Sequence, residues 1–155
     1  MSYERKLVVS TNPILDMFTW YNGELELAAG LTSTMGIAGT YITFGNEDDL
    51  DEETYANASI FWRYYPREAF GGFYFGVRTG YYKVTADNNV TGEEESGSFF
   101  GAGIDVGYGW LLGESERMYV SLGVGAVRLF GGDLEDVDVT LTLPTIRFIN
   151  VGIAF

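Results

Sequence analysis

The chain has 155 residues, of which 46% are hydrophobic and 16% aromatic, and its net charge is −13. Such a chain can bury a large apolar core, which excludes intrinsic disorder, and its length fits a single domain spanning residues 1–155. The excess of acidic residues argues against binding nucleic acid, because phosphate contacts need clustered basic side chains.

The absence of Cys and His narrows the chemistry further. Without cysteine there is no disulfide and no thiolate metal site, and we expect no cofactor. No apolar run approaches the roughly 20 residues that a membrane helix needs, so a chain of this kind crosses a bilayer only as a closed barrel. The first residues, 1–6, lack the apolar segment of a signal peptide. We expect a mature domain in which an initiator Met replaces the signal, with a cytosolic protein as the alternative.

Alternation of apolar and other residues recurs along the whole chain, with turn residues between the runs, which predicts strands. We predict eight strands, near residues 6–19, 23–31, 35–45, 57–66, 72–85, 98–112, 118–130 and 140–155. The sixth shows the pattern best, because alternate residues from Phe100 to Leu112 are apolar, and the opposite face from Gly101 to Gly109 is glycine apart from Asp105. A glycine-rich face suits the narrow interior of a small barrel.

The predicted connections alternate in length. Short turns fall at 31–34, 66–71 and 113–117, and long loops at 46–56, 86–97 and 131–139, while Asn22-Gly23 predicts a tight hairpin. Aromatic residues gather near both ends of the strands, as they do at the two interfaces of a membrane. Short turns on one side and long loops on the other are typical of transmembrane barrels, and an even strand number puts both termini on the turn side.

The last predicted strand carries an apolar residue at every second position and ends on an aromatic. Its outward residues are Ile149, Val151, Ile153 and Phe155. The final strands of outer-membrane barrels resemble this stretch, because they end in an aromatic that the barrel insertion machinery reads. We therefore expect these four residues to form the insertion signal.

The whole chain resembles the small eight-stranded outer-membrane barrels of the OmpX and OmpA transmembrane-domain class. In addition, Val9-Ser-Thr-Asn-Pro-Ile-Leu15 resembles the first strand of a related group of bacterial outer-membrane barrels. The resemblance implies an all-β fold, an eight-stranded antiparallel up-and-down transmembrane β-barrel in the bacterial outer membrane with periplasmic termini. This class includes adhesins, complement-resistance factors, envelope anchors and a few lipid A enzymes, so membership does not fix the function.

A sparse set of ionisable residues falls on the predicted inward faces: Asp16, Glu26, Arg63, Arg78 and Asp105. Pairing the strands about their turns places Arg78 between Arg63 and Asp105, and the same arithmetic sets Asp16 opposite Glu26. Two arginines in a dry interior need counter-ions. We therefore predict a lumen closed by salt bridges, as in OmpA-like barrels, with a gated pore or a proton path as the alternative.

Two further arginines, Arg128 and Arg147, fall on the predicted outward faces of the last two strands, near the loops. We expect them to be near neighbours at the level of the outer-leaflet headgroups. Guanidinium groups fit phosphate geometry, so both would contact lipopolysaccharide phosphates. Simple snorkelling of the charged heads to the interface is the alternative.

The long loops hold fourteen of the 22 acidic residues. They are Glu47, Asp48, Asp49, Asp51, Glu52, Glu53, Asp87, Glu93, Glu94, Glu95, Asp133, Glu135, Asp136 and Asp138. We expect solvated external loops, with divalent-cation binding or docking to a basic extracellular partner as alternatives.

An enzyme is not expected. The lipid A enzymes among these barrels need a His, which this chain lacks, and no Gly-x-Ser-x-Gly elbow is present. We therefore predict an outer-membrane structural or surface-interaction barrel whose lumen is closed. A narrow ion or small-solute channel is one alternative, and a soluble, lipocalin-like ligand-binding barrel is another.

Overall fold

The computed structural model describes residues 5–44, 51–88, 93–131 and 141–155, which form a closed barrel of eight antiparallel strands. The strands are β1 (Leu7–Thr11), β2 (Trp20–Ala28), β3 (Ser33–Phe44), β4 (Asp51–Tyr64), β5 (Gly72–Asn88), β6 (Glu93–Leu112), β7 (Met118–Phe130) and β8 (Leu141–Ala154). A short helix, α1 (Pro13–Asp16), lies between β1 and β2. Each strand pairs with the next, and β8 pairs with β1 to close the barrel. The predicted all-β, eight-stranded antiparallel fold is confirmed.

Large apolar side chains cover the outside of the barrel. On β6, Ile104 is 53% exposed while its neighbour Asp105 is buried inside, because successive strand residues face opposite sides. Soluble monomers rarely expose a wide contiguous apolar surface. The exposed band includes Ile37, Ile60, Trp62, Phe73, Phe75, Val77, Ile104, Trp110, Leu122, Val124 and Ile153.

Two apolar layers lie inside the barrel, one toward each end. We call the end that holds the short turns 29–32, 65–71 and 113–117 the turn side, and the opposite end the loop side. The turn-side layer consists of Val8, Phe70, Tyr119 and Ala154. The loop-side layer consists of Tyr82, Val127 and Leu129. The strand positions between these two layers carry the polar and charged interior.

The first predicted strand, 6–19, is wrong beyond Thr11. The side-chain oxygen of Asn12 accepts hydrogen bonds from the backbone N–H groups of Ile14, at 3.1 Å, and Leu15, at 3.2 Å, so it caps α1. Pro13 takes the first helical position, where its missing N–H is not needed. An Asn followed by Pro is a helix-start signal that the strand interpretation overlooked.

The predicted hairpin at Asn22-Gly23 is also wrong. Both residues lie inside β2, where they pair with Thr40 and Gly39 of β3. The connection from β1 to β2 instead spans residues 12–19 and contains α1. Because the turn lies at a different place from the predicted one, the predicted pairing of Asp16 with Glu26 does not form.

Two of the predicted long loops are largely strand. β4 begins at Asp51, β5 continues to Asn88 and β6 begins at Glu93, so hairpins extend through residues assigned to the loops 46–56 and 86–97. The acidic residues suggested solvated loops, but Asp51, Glu52 and Glu53 of β4 and Glu93, Glu94 and Glu95 of β6 pair with β5. The remaining connections, 45–50, 89–92 and 132–140, lie outside the described residues.

The pairing of β7 with β8 contains a β-bulge. Ser121 pairs with Asn150, yet Gly123 pairs with Arg147, so three steps along β8 match two along β7. One extra residue in a strand reverses which face the following residues present. Side chains of β8 on the loop side of the bulge therefore have the opposite orientation to the one that simple alternation predicts.

Candidate functional site

Five charged side chains meet inside the barrel, and we call them the charged cluster: Glu24, Glu26, Arg63, Asp105 and Arg147. Arg63 is fully buried at its centre. Its Nη1 lies 2.6 Å from Oε1 of Glu24 and 2.5 Å from Oε2 of Glu26. Its Nε lies 3.6 Å from Oδ2 of Asp105. Arg63 on β4 thus links carboxylates from β2 and β6 across the interior.

Arg147 completes a ring of ion pairs. Its Nη2 lies 2.8 Å from Oε2 of Glu24, and its Nη1 lies 3.2 Å from Oδ2 of Asp105. Nη1 also donates a hydrogen bond of 2.8 Å to the hydroxyl of Tyr74. Glu24 and Asp105 each contact both arginines, so Arg63 and Arg147 are joined through two carboxylates.

Glu26 connects the charged cluster to the turn-side layer. Its carboxylate accepts hydrogen bonds from the hydroxyl of Thr34 and, at 2.9 Å, from the hydroxyl of Tyr65. The Tyr65 hydroxyl in turn lies 3.5 Å from that of Tyr119. Because buried charges need several polar partners, these hydroxyls help to hold a carboxylate that is only 1% exposed.

Glycines on the inward face make room for the charged cluster. Gly76 pairs with Arg63 on one side and with Asp105 on the other. A Cβ at Gly76 would collide with the Asp105 carboxylate and press on the Arg63 side chain. Gly123, opposite Arg147, leaves space in the same way for the Tyr74 hydroxyl. The glycine-rich face therefore lets long side chains cross a narrow barrel.

Aromatic rings support the central arginine. The guanidinium carbon of Arg63 lies 4.1 Å from the ring centre of Phe61 and 4.9 Å from that of Tyr74. Both distances suit cation–π contact. The rings therefore hold a planar guanidinium whose orientation decides which carboxylates it reaches.

A cavity of about 360 Å³ lies on the loop side of the charged cluster. Glu24, Asp105 and Arg147 line it, together with Arg78. The rest of the lining combines polar and aromatic residues (Asn12, Trp20, Asn22, Thr40, Tyr55, Asn57, Tyr82, Thr145 and Asn150) with glycines and aliphatic residues such as Leu15, Ile42 and Val124. The cavity therefore adjoins the ion pairs directly.

The structure brings together Glu26, Arg63 and Asp105 of the five predicted lumen residues. Asp16 does not join them, because it lies on α1 and accepts a 2.8 Å hydrogen bond from the Thr11 hydroxyl. Arg78 faces the cavity, but it forms no ion pair with any residue in the described part of the chain.

The sequence interpretation missed Glu24 as a lumen residue and placed Arg147 on the outward face instead of in the lumen. Glu24 shares a face with Glu26 two residues later, and both lie within the predicted strand 23–31, so alternation alone indicated that both carboxylates face inward. The outward placement of Arg147 was wrong because the bulge in β8 reverses its side chain, which reaches Glu24 and Asp105. Nothing in the alternation of β8 marks that bulge.

Arg128 faces outward, with its guanidinium 5.6 Å from the ring centre of Phe130. It is not a neighbour of Arg147, because Arg128 pairs with Thr142 whereas Arg147 pairs with Gly123. Of the two predicted lipopolysaccharide contacts, Arg128 keeps its predicted outward position and Arg147 does not.

The residues of the predicted insertion signal point away from the lumen. Ile149, Ile153 and Phe155 are exposed, and Val151 is half-buried. Their recognition by insertion machinery stays a prediction.

Several acidic residues of the predicted loops lie outside the described residues: Glu47, Asp48, Asp49, Asp133, Glu135, Asp136 and Asp138.

The described ranges contain neither a candidate metal centre nor a membrane-spanning helix. Within them, no group of three or more His, Cys, Asp or Glu side chains has the arrangement to hold a metal ion. Within the same ranges, no helix is both long enough and apolar enough to cross a membrane.

The barrel and its charged interior can now be set beside known proteins. The chain belongs to the family described as "Protein of unknown function (DUF3575)", whose model matches residues 1–131. It is similar in structure to the N-terminal β-barrel domain of Pseudomonas aeruginosa OprF, with a TM-score of 0.55 and 11% sequence identity. The similarity covers 97% of this chain and 98% of the OprF domain, and at this identity it shows a shared fold. A comparison with curated proteins gives no match.

Proposed function

We propose that the protein is an outer-membrane barrel with a structural or surface-interaction role and a closed lumen. The observation that carries the proposal is the inversion of polarity across the barrel wall. Buried ion pairs centred on Arg63 lie inside, and a band of exposed aliphatic and aromatic side chains lies outside. The similarity to the OprF barrel domain supports the same location.

The exterior supports a lipid environment. Ile60 is 60% exposed, Val124 56% and Ile104 53%, and in a bilayer these side chains would contact acyl chains. Outward aromatics flank them on β6, with Phe100 on the loop side and Tyr108 and Trp110 on the turn side. Such placement matches aromatic belts at the two interfaces. The proposed orientation puts the turn side and both chain ends of the barrel in the periplasm.

The interior supports a closed lumen. Eight strands enclose a space just wide enough for side chains, and here it contains the charged cluster between two apolar layers. An ion crossing the barrel would have to separate Arg63 from two carboxylates held at 2.6 and 2.5 Å. Separating buried, hydrogen-bonded charges is costly. A soluble lipocalin-like barrel would instead need an apolar interior and a polar exterior.

Single-channel recording in planar bilayers tests the closed lumen. We expect no stable current from refolded protein whose insertion is verified by its heat-modifiable migration on a gel. A reproducible conductance step from the same preparation would favour the narrow channel instead. Tyr74→Ala is a useful comparison, because it removes a ring beside the charged cluster and a hydroxyl that Arg147 contacts.

The outward Arg128 is the proposed contact for lipopolysaccharide phosphate. It is exposed beside Phe130 on the loop side, and guanidinium groups pair well with phosphate. We expect Arg128→Gln to weaken the thermal stabilisation that lipopolysaccharide gives to the folded barrel. Arg117→Gln, an exposed arginine in a turn-side connection, is the matched control. Equal stabilisation of both variants would contradict the contact.

The proposal includes two partners that remain to be tested. The barrel insertion machinery would contact the outward apolar residues of β8, such as Ile149 and Ile153. A basic extracellular partner, or divalent cations, would meet the acidic residues that the sequence concentrates near the loop side. No enzymatic activity is proposed, because the sequence offers no His or Cys for catalysis.

A further inference from the structure

Arg78 stands apart from the other interior arginines. Arg63 and Arg147 share the carboxylates of the charged cluster, whereas Arg78 lines the cavity and its buried Nε has no hydrogen-bond partner among the described residues. Asp105 and Glu24 attract Arg78, but Arg147 and Arg63 repel it. A guanidinium whose Nε lacks a partner among the described residues therefore lines the cavity.

Asn12 supplies a second unused donor in the same cavity. The residue is 1% exposed, and its side-chain oxygen is committed to capping α1. Its amide nitrogen, Nδ2, is buried and has no partner in the described part of the chain. Leaving a buried donor unpaired is unfavourable, so a group that accepts hydrogen bonds here would be stabilised.

Tyr55, which also lines the cavity, adds a further donor. The hydroxyl of Tyr55 accepts a 3.0 Å hydrogen bond from Nδ2 of Asn57, which leaves the phenolic proton free to donate. Both carboxylate oxygens of Glu24 and Oδ2 of Asp105 contact the paired arginines, which leaves Oδ1 of Asp105 as the carboxylate oxygen of these two residues without a partner among the described residues. The cavity therefore presents an excess of donors together with one positive charge.

We propose that this cavity binds a small oxyanion, a carboxylate or a phosphate group, through Arg78 and Asn12. The arginine fork matches the planar, two-oxygen edge of such groups. A volume of about 360 Å³ exceeds the roughly 30 Å³ share of one water molecule several times, so it admits a small organic acid. A cation is disfavoured, because Arg78 and Arg147 both line the space.

Isothermal titration calorimetry tests the site. The whole chain is folded in micelles of an uncharged detergent, which removes lipid phosphate as a source, and inorganic phosphate and acetate are titrated separately. We expect saturable binding of at least one anion to the unaltered chain. Arg78→Gln should weaken that binding by about tenfold or more, since a hydrogen bond to a charged group is lost. The turn-side variant Arg117→Gln should leave it unchanged.

Two further variants keep the test decisive. Asn12→Ser retains a capping oxygen but removes the amide donors, so binding should weaken without loss of the fold. Arg78→Lys keeps the charge and loses the fork, and it replaces Arg78→Gln if that variant does not fold. The proposal would be overturned if neither phosphate nor acetate bound saturably. Equal affinities of the Arg78 and Arg117 variants would also overturn it. Neither outcome affects membrane insertion, which is measured separately.

Discussion

Replacing Arg63 with Met should destabilise the barrel more than any other single change to the charged cluster. Methionine fills much of the same space beside Phe61 and Tyr74, but it provides no donor. Glu24 and Glu26 would then be left in the interior without their shared guanidinium. Removing one partner of a buried ion pair leaves uncompensated charge, which is the main source of the expected loss.

The size of the effect follows from the contacts. Arg63 makes two charge-assisted hydrogen bonds, of 2.6 and 2.5 Å. Hydrogen bonds to charged groups contribute about 1.5–3 kcal/mol each, or about 3–6 kcal/mol for the two. Breaking a buried pair costs about 3–5 kcal/mol in other proteins. We expect a loss of about 4 kcal/mol, or roughly a thousandfold in the folding equilibrium.

Urea unfolding of the barrel in lipid vesicles measures this loss, followed by tryptophan fluorescence and by heat-modifiable gel migration. Arg117→Met is the control, because it makes the same substitution at an exposed turn-side position. Adding Glu26→Gln to Arg63→Met should recover part of the stability, since one unpaired charge is removed. A loss below about 1 kcal/mol, the size of a surface salt bridge, would refute a buried ion-pair network.

Three other substitutions test the packing at an interior glycine, the helix cap and the apolar exterior. Gly76→Ala should lower the free energy of unfolding by about 1–3 kcal/mol, because its Cβ would overpack the interior. Gly23→Ala is the control and should be nearly neutral, since nothing lies within 4 Å of a Cβ at that position. Equal urea midpoints for the two variants would contradict tight packing at Gly76. Asn12→Ala should lower the free energy of unfolding by about 1 kcal/mol through loss of the helix cap. Asn12→Ser, measured in the same urea series, should lose much less because serine also caps helices. Ile104→Arg should lower the free energy of unfolding in vesicles by about 2–4 kcal/mol. Phe130→Arg, at the loop-side end of the exposed apolar band, should lower it by only about 0–1 kcal/mol. Equal losses would contradict the proposed depth of Ile104 in the bilayer.

The sequence predicted the fold because alternation is regular over most of the strands. β7 was predicted at 118–130 and has those bounds, and the glycine face of β6 lies inside the barrel as expected. Period-two patterning reports which face a residue takes, and in an uninterrupted strand nothing competes with it. Asp105 was found by this reasoning alone.

The charged cluster was predicted only in part, because its geometry depends on local departures from alternation. The helix cap at Asn12 and Pro13 ends β1 earlier than alternation predicts, so Asp16 lies on a helix and not on a strand. The bulge between Ser121 and Gly123 turned Arg147 inward. A bulge is a property of the pairing between two strands, so the residues of β8 by themselves do not reveal it.

Register also decided which arginine joined the charged cluster. The turn position inferred from the sequence predicts that Arg63 pairs with Arg78, but Arg63 pairs with Gly76. This shift of two residues kept every side chain on its predicted face. It nevertheless brought Arg63 and Asp105 to either side of the same glycine and left Arg78 nearer the loop side. Small errors in turn position thus preserve the fold while they change the neighbours within a site.

Refolding of the urea-denatured chain tests the membrane barrel most directly. The chain is diluted into lipid vesicles, detergent micelles or plain buffer, and each sample is followed by circular dichroism and by gel migration with and without heating. We expect β-type dichroism with a compact, heat-modifiable band only where lipid or detergent is present, because the apolar exterior needs an apolar solvent. An equally compact and soluble fold in plain buffer would contradict the transmembrane barrel.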